Sequence, residues 1–214
     1  MGALDRIQEA NTCRPRPYPT PKGFDSVKSF RSFIPPLAAM LMAASGGSSA
    51  GGVLIDKSEI KFVSKQMGSN VSGRFRRWKA NVDFQPSNLS ASKAGFEIEL
   101  ASVELANGKS GAELKHPLWF DTARFPVATF ESTAMRNVGS DRYEVAGTLS
   151  MKGVAKDVVV PVALKKDAAG NSVAHGQFTV KRLEFNVGEG LWADTDDVPD
   201  EVTVSIRMVL PPLA

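Results

Sequence analysis

Beyond residue 52 the apolar positions recur with a period of two. Ile60 and Phe62 flank Lys61, and Trp78, Ala80, Val82 and Phe84 share a face opposite Lys79, Asn81 and Asp83. Phe96, Ile98 and Leu100 alternate with Glu97 and Glu99, and Ala128, Phe130 and Ser132 form the next set. Tyr143, Val145, Gly147, Leu149 and Met151 follow, then Val158, Val160, Val162 and Leu164. Ala174, Gly176, Phe178 and Val180 precede a last series of Val202, Val204, Ile206, Met208 and Leu210. Successive side chains of a strand point to opposite faces, so this alternation predicts strands with one face buried. Phe75 is out of phase with Trp78, which places a bulge near Arg76–Arg77.

Turn residues separate the segments: Gln85-Pro86-Ser87-Asn88, Asn107-Gly108, Val138 to Asp141, Ala169-Gly170-Asn171, and the acidic stretch Asp194 to Asp200. The result is an all-β chain of about eight strands, arranged as an antiparallel barrel or a Greek-key sandwich, since the periodicity serves both. The exception is Lys109 to Asp121, where Leu114, Leu118 and Trp119 fit one side of a short helical insertion.

Charge divides the chain. Of 26 Lys and Arg and 23 Asp and Glu, six and three lie in residues 1–50, which leaves 20 of each beyond. The main domain is formally neutral, which removes the bulk-charge argument for nucleic acid as a partner. The single cysteine, Cys13, also lies in the first segment, so the domain has no thiol nucleophile, disulfide or thiolate metal site. Lys28 and Arg31 precede an apolar run from Phe33 to Ala44 and a small-residue exit from Ser45 to Gly52. That is the plan of a secretory signal peptide, and it falls short of the ~20 residues of a transmembrane helix. Residues 27–50 are therefore expected to be a signal peptide, 1–26 a gene-model extension or disordered tail, and 51–214 the folded domain. The expected location is secreted, or periplasmic in a Gram-negative cell.

Candidate chemistry is sparse. His116 and His175 are the only histidines and have no cysteine beside them, fewer than the three or four ligands of a zinc site. The acidic stretch lacks the glycine and closing glutamate of an EF-hand loop. Gly188 and Gly190 make half of a dinucleotide fingerprint and read as turn residues. Arg74, Arg76, Arg77 and Lys79 read as a charged strand face, with contact to anionic lipid head groups as the alternative. These counts predict no catalytic residue and no metal.

Several motifs resemble those of the YceI-like family. They are "IDKSEIKF", "VSGRFRRWKANVDF" with Gly73 and Phe75, "LWFDTARFPVATFES", "YEVAGTLSMKGVAKDVVVPV" and the closing "FNVGEGLWADTDDVPDEVTVSI". The approach to the Phe-Asp segment, "GKSGAELKHPLWFD", departs from the charged or histidine-bearing form of many relatives. The resemblance implies a lipocalin-like, eight-stranded antiparallel barrel that binds a polyisoprenoid lipid or isoprenoid quinone, and it brings no catalytic residue or other cofactor. It implies an apolar interior formed by Phe75, Trp78, Val82, Phe84, Phe96, Ile98, Leu114, Leu118, Trp119, Phe120, Phe130, Tyr143, Val145, Leu149, Val204 and Ile206. Leu118, Trp119 and Phe120 are expected to line the mouth. Transport, a role in stress response and transient contact with a membrane or a membrane quinone-using protein go with that reading. Two others compete with it: a fully packed barrel acting through its outer face, and a lipid-modifying enzyme with polar residues converging inside.

Overall fold

The computed structural model describes residues 52–106 and 111–212. The signal peptide and N-terminal extension read from the sequence, and the Asn107-Gly108 turn, lie outside the described residues. Among the described residues ten strands make one antiparallel sheet: β1 (Glu59–Gln66), β2 (Ser69–Phe75), β3 (Trp78–Asp83), β4 (Lys93–Glu99), β5 (Val103–Leu105), β6 (Val127–Gly139), β7 (Arg142–Met151), β8 (Val154–Lys166), β9 (Ser172–Lys181) and β10 (Glu201–Leu210). Their order is β3-β4-β6-β7-β8-β9-β10-β1-β2-β5.

Connectivity makes the sheet curl. β2 stands ninth in that order and β3 first, yet only Arg76 and Arg77 separate them. Phe75 and Trp78 therefore lie within about 10 Å of each other, which brings the two ends of the sheet together. β4 and β5, at the second and tenth places, are likewise joined by three residues, Leu100–Ser102. The fold is a curled, barrel-like antiparallel sheet.

The count is ten rather than the expected eight because two runs that read as single strands are each interrupted. The first break falls at Arg76–Arg77, where the change of phase placed a bulge. The second is the 3-10 turn Leu100–Ser102. Backbone and hydroxyl groups staple the two breaks together. Arg76 N–H donates to the Ser102 carbonyl at 3.2 Å and Glu99 N–H to that of Arg77 at 3.0 Å. Ser102 Oγ accepts from Arg77 N–H at 3.0 Å and donates to the Glu99 carbonyl at 2.6 Å.

Tight hairpins join consecutive strands. Met67-Gly68 and Lys152-Gly153 are two-residue loops with positive φ at both positions (47° and 76°, 49° and 77°), the backbone that matches strand twist. Gly147 on β7 faces the Phe130 ring of β6, and a Cβ there would lie 2.5 Å from both that ring and the Glu131 carbonyl. The expected helical insertion near 109–121 is absent as a helix. Within the described residues it is one 3-10 turn, Glu113–Lys115, followed by irregular turns. Pro117 lies within the segment, and proline inside a helix removes a donor and clashes with the preceding turn.

Connections 67–68, 152–153 and 182–200 gather at one end of the barrel with residues 111–126. Met67 N–H donates to Asp197 O at 2.9 Å, and the amides of Gly188 and Glu189 both donate to Leu118 O, at 2.8 and 2.9 Å. A packed cluster of Leu100, Val103, Phe120, Ala128, Val180, Phe185 and Val187 seals this end. Connections 84–92, 140–141 and 167–171 lie at the other end.

Candidate functional site

The inward side chains of the curled sheet do not meet in the middle. They leave a cavity in which the centre of a water-sized sphere ranges over about 180 Å³. That is an order of magnitude beyond the ~10–15 Å³ a single water requires. The interior is therefore not fully packed. Every strand except the three-residue β5 contributes to the wall, from Ile60 of β1 to Leu210 of β10. Among the described residues no lining residue is charged, and the one with a polar side-chain group is Tyr143.

Aromatic pairs set the shape of the space. Phe96 and Phe130, opposite each other on β4 and β6, hold their rings 6.1 Å apart. Phe75 packs between Phe62 at 5.8 Å and Phe120 at 6.1 Å, so it forms the boundary between the cavity and the sealed end. At the opposite end Phe84 meets Tyr143 edge to face, with centroids 5.1 Å apart.

Eleven of the residues expected to face the interior lie on the wall: Phe75, Val82, Phe84, Phe96, Ile98, Phe130, Tyr143, Val145, Leu149, Val204 and Ile206. Five do not. Trp78 shares the inward phase of β3 but is spent in a packed cluster with Ile60 and Met208. Phe120 is buried in the cluster that seals the end, and Leu114 and Trp119 pack against that cluster. Leu118 sits beside Gly190, held there by the two amides that bond its carbonyl. Leu118, Trp119 and Phe120 thus close the barrel rather than line its mouth, because the 182–200 connection ties their segment across the end. The wall also holds Ala94, Leu100, Ala128, Met135, Met151, Val160, Val162, Leu164, Ala174, Gly176, Phe178, Val180, Met208 and Leu210. Most of these carry the same alternating phase in the sequence.

Behind the seal lies Arg182, 2% exposed. Its guanidinium donates to the carbonyls of Val187, Gly188, Trp192, Val198 and Pro199 at 2.5–3.2 Å. It also stands 6.0 Å from the Trp119 ring, which packs on Trp192 at 5.5 Å. Burial pulls the guanidinium below its ordinary value, and the charge of Asp200 opposes that shift. Gly188, at φ +79°, is required here: a Cβ would lie 2.3 Å from Arg182 Nη1. This arginine organises the loop that caps the cavity, and it does not reach the cavity wall. Lys152, 7% exposed, adds a second tie through Glu189 at 2.8 Å.

The basic cluster is neutralised on the outer face. Arg74 and Arg76 share Glu104, at 3.3 and 2.7 Å, Arg77 pairs with Glu99 at 2.5 Å, and Lys79 with Glu97 at 3.2 Å. The hydrogen bond from Arg77 holds the Glu99 carboxyl below its ordinary range, as that from Arg76 does for Glu104. Both histidines are exposed. In the acidic stretch, Asp194 caps Asp196 N–H and Asp200 caps Leu183 N–H, each at 2.9 Å. Among the described residues no three His, Cys, Asp or Glu side chains gather to hold a metal.

A model of the YceI-like domain matches residues 54–210, which span all ten strands. The chain belongs to the YceI-like family. A UPF0312 protein of Pectobacterium atrosepticum is 31% identical over 81% of this YceI-like chain and 94% of its own length. Among solved structures, BcnA of Burkholderia cenocepacia is similar at 36% identity and a TM-score of 0.69, covering 73% of this chain and 98% of BcnA. A polyisoprenoid-binding domain from Saccharophagus degradans, implicated in plant cell wall breakdown, shares the fold with a TM-score of 0.58. It is 16% identical and covers 77% of this chain and 99% of its own, a likeness of fold alone.

Proposed function

We propose that this YceI-like domain binds the tail of an isoprenoid lipid or isoprenoid quinone in its cavity, and carries or sequesters it outside the cytoplasm. The observation that carries this reading is the cavity of about 180 Å³ with a wall that lacks any charged side chain. Each five-carbon isoprene unit moved from water onto such a wall contributes on the order of 4 kcal/mol, at about 0.8 kcal/mol per methylene. Part of that is offset by the lost freedom of the tail. A flexible branched hydrocarbon asks for apolar walls rather than a polar constellation, and the wall has no carboxylate or imidazole to serve acid–base chemistry. The family relationship and the polyisoprenoid-binding domain of the same fold support the ligand class. The basic flank, apolar run and small-residue exit in residues 27–50 support export. Loading from a membrane, or delivery to a membrane quinone-using protein, follows from the insolubility of the ligand.

Filling the cavity tests the proposal. Val145→Trp and Ala174→Leu add volume at two wall positions on β7 and β9. Both variants should fold and lose at least tenfold in affinity for a C40 polyprenol, measured by titration in detergent-free buffer. Unchanged affinity in both would place the ligand elsewhere.

A further inference from the structure

The barrel wall is not laddered evenly. β8 pairs with β9 from Val162 to Lys166, against Ser172 to Gly176. Beyond that point β8 runs back to Val154 and β9 runs on to Lys181, and among the described residues these two stretches do not pair with each other. Pro161 is the cause. Leu164 N–H donates to Asp141 O at 2.8 Å, on the β7 side, so by antiparallel alternation the backbone of Ala163, Pro161 and Val159 faces β9. Ala163 stands in the ladder, opposite His175, and at the next such position proline has no N–H to donate.

We infer that this seam is the route by which an apolar tail enters and leaves the cavity. This rests on the binding reading above and adds the path. Val160 of β8 and Phe178 and Val180 of β9 border the seam and belong to the cavity wall. Val159, the next residue along β8, is 54% exposed on the outer face. Parting two strands elsewhere in the wall breaks ladder hydrogen bonds, each a net contribution to stability, and here there are none to break. Both strands stay anchored on their other sides. β8 pairs with β7 from Val154 to Ala163, and β9 pairs with β10 from Ser172 to Lys181, so the seam widens without either strand leaving the sheet. At the sealed end an ion pair crosses it, Lys156 Nζ to Glu184 at 3.9 Å, with both side chains half-exposed, and such a contact holds weakly.

Two measurements test the route. The first needs no ligand. In the wild-type chain the Val159 amide should exchange its hydrogen about tenfold or more faster than that of Ala163, which faces the same way but lies in the ladder. Equal protection would show paired strands and overturn the route. The second bridges the seam from outside. Val159→Cys and Thr179→Cys, both at exposed positions off the cavity wall, are introduced with Cys13→Ser and joined by a bis-methanethiosulfonate that dithiothreitol removes. Bridging should slow the uptake of geranylgeraniol about tenfold or more, as a blocked opening step does, and leave its equilibrium affinity unchanged. Reduction should restore the rate. Uptake by the bridged protein at the unbridged rate overturns the route and leaves the binding reading standing. If the wild-type chain and the unbridged variant take up no geranylgeraniol, both fall.

Discussion

Arg182 gathers five carbonyls of one loop around a single buried cation, and no neutral side chain supplies that many donors. Arg182→Met should cost about 3–5 kcal/mol in denaturant unfolding, as stranded buried acceptors and a lost charge-assisted network do. Arg182→Lys should recover little of it, because an ammonium has three donors and lacks the planar fork. A loss below about 1 kcal/mol for both would show that the loop holds itself. At this scale the sequence was partly legible. Alternation identified the inward face correctly at Phe96, Phe130, Val145 and Val204, since a strand has only two faces. It did not identify Arg182, although a charged residue in phase with inward Phe178 and Val180 was a cue. Nor did it separate Trp78, packed against Met208, from Val82 on the open wall, because inward phase says nothing about what stands opposite.

The strands show how local breaks define the barrel. Glu99 N–H bonds the Arg77 carbonyl, so by antiparallel alternation Lys79, Asn81 and Asp83 exchange hydrogen bonds with β4. The amides of Ala80 and Val82 point the other way, where β3 has no ladder among the described residues. Amide hydrogen exchange should therefore be at least tenfold faster at Ala80 and Val82 than at Lys79 and Asn81. Equal protection of the four would mean that a further segment pairs with this edge. Lys79 and Asp83 on its outer face are the charges with which exposed edges resist pairing with other chains. Strand existence was readable from alternation and turn residues, and the change of phase marked Arg76–Arg77, though as a bulge in one strand rather than the break between two. The break at Leu100–Ser102 was not readable, because three residues of 3-10 turn disturb no period. The segment 111–121 misled for a related reason. Leu114 and Leu118 stand four apart as on a helix, but their positions answer to the loop 182–200 that packs on them.

For the whole molecule, the arrangement is a curled sheet sealed at one end by two cross-tied connections and lined throughout by apolar side chains. The sequence revealed the apolar inner face but not whether the two sides meet across it, since that depends on strand number, tilt and curl together. The cavity is the feature from which we propose that the domain binds apolar molecules. Native mass spectrometry of the chain purified from its own cells, with the released ligand fragmented, tests that claim most directly. A one-to-one complex is expected, whose ligand shows losses spaced by five-carbon isoprene units and leaves on treatment with detergent. A chain that is ligand-free from those cells, and stays so after incubation with polyprenols and prenyl quinones, would contradict it.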